Sequence, residues 1–438
     1  MKVAQILSAL SFASSGALAA TSGTFDILTM NVAGLPPILN GNDVPGDKAT
    51  NARTIGAYFT QYGYDIINMQ EDFNYHAYIY ETDAHPYRTA TSGGAAIGSG
   101  LNTVSNFNWI NFTRGKWNDC SNASGADCLT PKGFTFMRVN VDDGVWIDVY
   151  NLHTDAGTES GDLAARNSNL QQVADYLDTW SKGNVVLVFG DTNSRYTRTS
   201  DQIRVFSSQN GMTDPWVQLI RGGVVPTEET FCENPSTTNY CETVDKVFYR
   251  GNSIINLSAT SFNYESNKFL QADGSILSDH NPIGVNFSWS LSNKFRQSNF
   301  WGGPHGDWFT DLPTLSSKTG TIKTSSITFR GASRLDSVAL TLTDGTTFTH
   351  GGTGGTAASL TLGASEYWTS ATLCQGQKSG HTRNFYIQAT TSAGNKVSAG
   401  TSTSDCTTFS APSGWQIVGY LGQAGDEMDQ LGFIYAPR

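Results

Sequence analysis

Past its first twenty residues this 438-residue chain has no apolar run long enough to cross a bilayer, so it predicts no transmembrane segment. Positive charge is scarce: 27 Lys and Arg stand against 38 Asp and Glu, giving a net charge of −11. Polyanion affinity rests on neutralising phosphates with cations, which argues against a general nucleic-acid binder while leaving room for a local basic groove. Charged residues make up only 15% of the chain and hydrophobic ones 38%, a balance that excludes a disordered protein. Cysteine is limited to six residues.

What is present begins with a processing segment. Lys2, the apolar stretch 6–12 and the small residues Ala17-Leu18-Ala19-Ala20 read as a signal peptide over 1–20, which places the mature protein outside the cell. Four acceptor triplets for N-glycosylation agree with secretion, at Asn111, Asn122, Asn256 and Asn286. The cysteines fall into three local pairs, Cys120 with Cys128, Cys232 with Cys241 and Cys374 with Cys406. In an oxidising compartment these are expected as disulfides.

Two domains follow, 21–289 and 300–438, with a polar, aperiodic linker at 290–299. The first alternates short β-like runs (25–30, 65–69, 145–152, 185–189, 244–249 and 283–287) with helical stretches. In the helix predicted at 163–180, Leu170, Val173, Ala174 and Leu177 recur at helical spacing, and Gly183 lies just past its end. A second helix is predicted at 50–62, with Ile55, Tyr58 and Phe59 on one side. Mixed strands and helices predict an α/β domain. After residue 300, Thr, Ser and Gly dominate, and the alternating runs 325–330, 334–342, 384–390 and 415–421 predict an all-β domain.

Polar groups sit where the buried strands of the first domain should end. The run 25–30 ends in Asn31, 65–69 in Gln70-Glu71, 145–152 in His153, and 185–189 in Gly190-Asp191-Thr192-Asn193. Groups fixed on several strand ends around one cleft are what a catalytic site requires. Amide and carboxylate oxygens suit Mg²⁺, with Mn²⁺ or Ca²⁺ as alternatives, whereas Zn²⁺ would want more His or Cys. Asn31 and Glu71 are the leading ligands, and His153 and His280 the candidates for proton transfer. His76 and His85 are expected to be structural, and Arg53 and Arg166 solvated or packed.

With Ser278-Asp279-His280 and Asp245 included, this set resembles the endonuclease/exonuclease/phosphatase superfamily, which includes deoxyribonucleases and sphingomyelinases. The resemblance implies a four-layer α/β/β/α sandwich. It implies metal binding by Asn31, Glu71 and Asp279, and catalysis by His153, Asp191, Asn193, Asp245 and His280. Asp191 and His280 both remain open as the base. Gly98-Ser99-Gly100-Leu101, Ser105, the stretch 151–156 and Arg166 lean towards the sphingomyelinase-like branch. Aromatics in 73–80 suit peripheral contact with a membrane surface.

The C-terminal domain carries glycine loops at Trp301-Gly302-Gly303-Pro304, at 348–355 and at Gly425-Asp426-Glu427-Met428-Asp429. A sugar is held by converging backbone N–H groups and a carboxylate that accepts hydroxyl protons. The loops resemble those of jacalin-related lectins, a β-prism family. That resemblance implies carbohydrate binding by Gly302, Gly425, Asp426, Glu427 and Asp429. Ala424 and the paired acids Asp426-Glu427 depart from the pattern, and a Cys374–Cys406 disulfide is untypical of plant members. The expected protein is a secreted, divalent-metal-dependent phosphodiesterase of sphingomyelinase or phospholipase C type, directed to glycans. Its alternatives are a secreted deoxyribonuclease-like endonuclease acting on nucleic acid and a carbohydrate-binding protein on an inactive phosphoesterase fold.

Overall fold

A computed structural model describes residues 20–36, 41–93, 98–125 and 127–438. The signal segment read at 1–20 lies, but for Ala20, outside the described residues. The strands of the first domain are β1 (Ser22–Asn31), β2 (Ile66–Gln70), β3 (Tyr87–Arg88), β4 (Asn102–Ser105), β5 (Trp109–Lys116), β6 (Gly133–Asp142), β7 (Val145–Leu152), β8 (Val185–Asp191), β9 (Asp245–Arg250), β10 (Ile255–Tyr264) and β11 (Ile283–Leu291). They form two sheets, ordered β10-β11-β1-β2-β4-β3 and β5-β6-β7-β8-β9. The pairs β1–β2 and β7–β8 are parallel and the other neighbours antiparallel. The parallel pairs bring the C-terminal ends of β1, β2, β7 and β8 to one edge.

Between the sheets runs a line of buried amides. Asn68 Nδ2 donates to Tyr150 O and Phe189 O, both at 3.1 Å, and Gln70 Nε2 donates to Asn151 Oδ1 at 2.7 Å. A buried amide left unpaired costs about 1–3 kcal/mol, so these bonds fix how the sheets face each other. Three helices cover the outer faces: α1 (Lys48–Tyr62), α2 (His76–Thr82) and α3 (Ser160–Trp180). Ile55 and Phe59 of α1 bury against Leu28, Met30 and Ile67. Leu170, Val173, Ala174 and Leu177 of α3 join the core of the second sheet. Both long helices begin two or three residues earlier than predicted, because their caps lie upstream. Asp47 Oδ1 accepts from Thr50 N at 2.9 Å, and Glu159 and Asp162 form a capping box. The residue that caps the end of α3 is Ser181, and Gly183 occupies the turn beyond it.

The second domain is all-β, with three antiparallel sheets. One is built on Trp415–Ala424 and Met428–Pro437, one on Thr324–Gly331 and Leu335–Leu342, and one on Trp368–Lys378 and His381–Thr391. All three expected disulfides are formed. Arg296 and Gln297, within the segment read as a linker, pair as a short strand with Tyr435 and Ile434. Asn299 Oδ1 accepts from Gly144 N and Trp146 Nε1, each at 3.0 Å. Across the same seam the Arg138 guanidinium lies 3.7 Å from the Trp308 ring centroid, and one apolar cluster continues through both domains.

The seam corrects one expectation. Asn111, read as a glycan acceptor, is buried there: its Nδ2 donates to Gln430 Oε1 at 3.0 Å, and Gln430 Nε2 donates back to Asn111 Oδ1 at 3.1 Å. A glycan on that amide is incompatible with this packing. Asn122, Asn256 and Asn286 are exposed. No helix among the described residues is long and apolar enough to cross a membrane.

Candidate active site

At the shared edge the strand ends converge. Asn31 closes β1, and its Nδ2 donates to Glu71 Oε1 at 3.1 Å and to Asp191 Oδ2 at 3.2 Å. Glu71, just past β2, has a left-handed backbone (φ 56), a costly conformation for a non-glycine residue that turns its carboxylate into the cleft. Two glycines make room for that turn. A Cβ on Gly34 would come within 2.3 Å of Glu71 O, and one on Gly100 would meet the Phe73 ring and Glu71 Cα. Gly100 of the Gly98-Ser99-Gly100 string thus accommodates the Glu71 turn.

The facing sheet supplies the imidazole and acids. His153 and Asp191 form a bridge at the ends of β7 and β8, with His153 Nε2 3.4 Å from Asp191 Oδ2. Gly190 is required for this approach, since a Cβ there would lie 2.3 Å from Leu152 O. Asp191 Oδ1 accepts from Asn193 N at 2.9 Å, and Asn193 Nδ2 donates to Thr154 O at 3.1 Å. Asp245 opposes Asp191 across β9, and its Oδ2 lies 2.9 Å from His280 Nδ1. His280 Nε2 points towards Asp191 Oδ2 at 3.8 Å. Ser278 locks this loop in place: its hydroxyl donates to Asn31 O at 2.5 Å and accepts from His280 N at 3.0 Å.

All eight residues expected in the catalytic and metal set thus meet at one edge. The structure adds members that the sequence reading missed. Asn42 Nδ2 donates to Glu71 Oε2 at 2.9 Å and to Asp279 Oδ2 at 3.3 Å, joining two expected metal ligands. Lys48 Nζ donates to Ala33 O at 2.6 Å beneath them, and Lys132 places its charge near His153 and Asp191. A Gly-Asn-Asp loop and isolated lysines carry no periodic signal, so nothing in the sequence marked them. Arg195, Cys232, Asn234, Asp279 and His280 line a cleft of about 210 Å³. Larger cavities, about 630 and 540 Å³, lie along the domain seam, away from these groups.

The electrostatics separate the two imidazoles. Burial, reinforced by Lys132 and His280, pushes His153 well below its ordinary value. Burial acts in the same sense on His280, but the Asp245 and Asp191 carboxylates outweigh it and raise that group well above its ordinary value. Burial lifts Asp191 to about 6, with His280 pulling it down and Asp245 pushing it up. The group therefore holds a neutral His153 and a charged His280 side by side.

Other expected residues sort as follows. His85 is buried between Asp83 and Tyr64 O, Arg166 is buried against Asp201, and Arg53 makes a surface pair with Glu81. The aromatics of 73–80 are not a free membrane-facing set: Phe73 is buried, and Tyr75, Tyr78 and Tyr80 pack on the α1 core.

In the second domain, Gly302 (φ 108) lies against Asp429, where a Cβ would meet Asp429 O at 2.0 Å, and Gly303 N donates to Asp429 O at 3.0 Å. Gly425 N donates to Glu427 O at 3.1 Å, and Asp426 is exposed. Glu427 and Asp429 are already engaged. Arg334 and Lys378 bond Glu427, and Arg383 bonds Asp429 Oδ1. The Arg334 bond holds Glu427 down at about 2, whereas burial raises Asp429 to about 6 against the pull of Arg383.

A family model described as endonuclease/exonuclease/phosphatase family 2 matches residues 48–286, more than half of the chain. The chain belongs to that family. A jacalin-like lectin domain model matches residues 298–434 of this family member. Sphingomyelinases of Mycobacterium tuberculosis and Mycobacterium bovis are each 36% identical to it over 281 residues, 62% of this chain and 54% of theirs. The chain spans about half the length of the curated relatives it matches. Among solved structures, sphingomyelinase C from Streptomyces griseocarneus is 19% identical over 60% of this chain and 99% of its own, with a TM-score of 0.43. Malaysian banana lectin is 22% identical over 32% of this chain and 98% of its own, with a TM-score of 0.29.

The donor chemistry fits a divalent cation in this family member. Asn42 Oδ1 and Asp245 Oδ1 are buried oxygens without a hydrogen-bond partner. Ligand atoms of Asp191, Asp245 and His280 lie within 4.8 Å of one another. The Asn31, Glu71 and Asp279 side offers oxygen donors alone, which suits a hard cation better than a set that includes an imidazole.

Proposed function

We propose that the protein is a secreted phosphodiesterase of the sphingomyelinase or phospholipase C class, dependent on a divalent ion and carrying a glycan-binding module. The observation that carries this reading is the meeting of Asn31, Glu71, His153, Asp191, Asn193, Asp245, Asp279 and His280 at one edge. The sheet pair with α1 and α2 outside one sheet and α3 outside the other supports a four-layer α/β/β/α sandwich, and the three sheets of the second domain support a β-prism.

Asn31, Glu71 and Asp279 would hold the ion, with Mg²⁺ first and Mn²⁺ or Ca²⁺ as alternatives; when bound it polarises a phosphoryl oxygen and neutralises developing charge. Asp245 orients His280 and keeps it charged, so His280 stabilises a non-bridging phosphate oxygen. Asp191, with its raised affinity for a proton, takes one from the attacking water that Asn193 helps to position. As the water adds, the bond from phosphorus to the leaving oxygen breaks, and the proton taken by Asp191 passes to that oxygen through the neutral His153, whose Nε2 lies 3.4 Å from Asp191 Oδ2. Relatives named sphingomyelinases support a lipid substrate, and the acidic chain disfavours the nucleic-acid alternative. In the lectin-like module, Gly302, Gly425, Asp426, Glu427 and Asp429 form the glycan site.

The deciding experiment gives purified protein sphingomyelin, phosphatidylcholine, plasmid DNA and an inositol phosphate, each with Mg²⁺ or with EDTA. EDTA-sensitive release of phosphocholine from sphingomyelin is expected. Turnover of DNA alone, or EDTA-insensitive turnover, overturns the reading.

A further inference from the structure

Six large apolar side chains stand exposed among the described residues: Tyr87, Leu129, Leu219, Val224, Phe231 and Tyr240. Five of them, all but Tyr87, come from two connections. Leu129 lies between β5 and β6, and the other four lie between β8 and β9. The register shows where those connections sit. Lys116 pairs with Gly133, Phe134 with Leu152, His153 with Asp191, and Asp191 with Asp245. Both connections therefore leave the second sheet at the edge that carries His153, Asp191 and Asp245.

Each connection carries a disulfide, Cys120–Cys128 beside Leu129 and Cys232–Cys241 beside Phe231 and Tyr240. The larger is also tied to the catalytic loop: Asn234 Nδ2 donates to Ser278 O at 2.8 Å, and Asn281 Nδ2 to Glu233 O at 3.1 Å. Its arginines lie flat on its aromatics, Arg195 4.3 Å from the Phe231 ring and Arg221 3.8 Å from the Tyr240 ring. Arg195 lines the cleft, so apolar surface begins where the cleft ends.

Leu129 at 72% exposure and Phe231 at 60% stand beside disulfides at the cleft edge, and Val224 at 67% joins them through Arg221, whose carbonyl accepts from Val224 N and whose guanidinium lies on Tyr240; exposed apolar side chains gathered in this way mark an interaction surface. The charge around them narrows the partner. The β8–β9 connection holds four arginines against six Asp and Glu, which disfavours nucleic acid and anionic lipid alike. Aliphatic tips such as Leu129 and Val224 offer no face for stacking bases, but they transfer well into a lipid interface.

We propose that Leu129, Val224, Phe231 and Tyr240 form a docking surface that seats the cleft on a lipid layer with neutral, zwitterionic headgroups. This rests on the lipid reading of the cleft and names the surface through which substrate is met. The two disulfides hold Leu129, Phe231 and Tyr240 in place, so little ordering of these tips is required on contact.

The test uses the full chain with glycan-free phosphatidylcholine vesicles in EDTA, so that binding is read without turnover. Replacing four tips together (Leu129→Ser, Val224→Ser, Phe231→Ser, Tyr240→Ser) should lower vesicle partition by roughly tenfold or more. The thermal transition and hydrolysis of a water-soluble phosphodiester should be unchanged. Should that variant fail to fold, Val224→Ser with Tyr240→Ser is expected to give a several-fold loss. Equal partition of variant and wild type, no partition of the wild type, or preference for phosphatidylserine vesicles or plasmid DNA overturns the proposal. Short-chain sphingomyelin dissolved as monomers needs no docking and separates the two readings. Turnover there without vesicle binding removes the docking surface alone. Vesicle binding without turnover removes the enzyme assignment alone.

Discussion

At the cleft, Asp191 and Asp245 sit beside each other with one imidazolium between them, and Asp245 keeps a buried oxygen unpaired. At the Gly425 loop, Glu427 and Asp429 meet three cations, Arg334, Lys378 and Arg383. Both clusters are acids beside glycines at strand ends. The first is left in electrostatic tension and the second is neutralised. Tension of this kind is costly in the folded state and useful in a reaction, because it shifts the proton affinities of the groups that must exchange protons. A neutralised cluster instead offers a rigid, preformed surface, and any sugar hydroxyl that reaches Asp429 must share it with Arg383.

The largest effect should come from breaking the tense cluster. His153→Ala or His280→Ala should lower turnover of the preferred phosphodiester by about 10²–10⁴-fold, read as kcat at saturating substrate. A loss smaller than tenfold would remove that histidine from the mechanism. In the neutralised cluster, Arg383→Ala leaves the carboxylate of Asp429 without its cation. A loss of roughly 2 kcal/mol is expected in chemical denaturation, below the value for a fully buried pair because Arg383 is partly exposed. An unchanged midpoint would mean that the pair does little.

A pH series sharpens the contrast. Asp191 moves from an ordinary 3.8 to about 6 in the fold, so its protonated form is the one the fold favours. Its contribution to stability is full below 3.8 and is lost as pH rises through about 6. Asp191→Asn should therefore stabilise the EDTA-treated protein by about 2 kcal/mol at neutral pH and hardly at all near pH 4. A gain independent of pH would show that the carboxylate's charge is not the cause. The smallest effect belongs to the seam. Gln430→Ala strands the buried Asn111 amide and should cost about 1–2 kcal/mol, with no change in hydrolysis of a soluble substrate. Peptide mapping of protein expressed through a glycosylating secretory host should find Asn111 bare, whatever glycans Asn122, Asn256 and Asn286 carry.

Legibility followed the range of the interactions. Val145–Leu152 was readable to the residue, because a run of apolar and β-branched residues between polar turns depends on neighbours alone. The polar strand β10, in which Asn, Ser and Thr alternate with buried residues, escaped notice because its composition resembles a loop. Helix starts were misplaced where Asp47 and Glu159 cap from outside the apolar period. In the cleft, the strand-end groups announced themselves through short motifs. Asn42, which meets Asp279 237 positions away, had no local signature. The Gly425 loop was visible, but its neutralisation was not, since Lys378 and Arg383 come from strands folded beside it and Arg334 from the turn before Leu335–Leu342. Nor could a triplet scan tell that Asn111 faces Gln430.

That last contact sets an order of events during synthesis. Asn111 emerges 319 residues before Gln430, so in a host that glycosylates such triplets the amide would stay open to modifying enzymes until Met428–Pro437 arrives. An oligosaccharide attached in that interval would act as a wedge, and only chains that escape it would close the joint between the two domains.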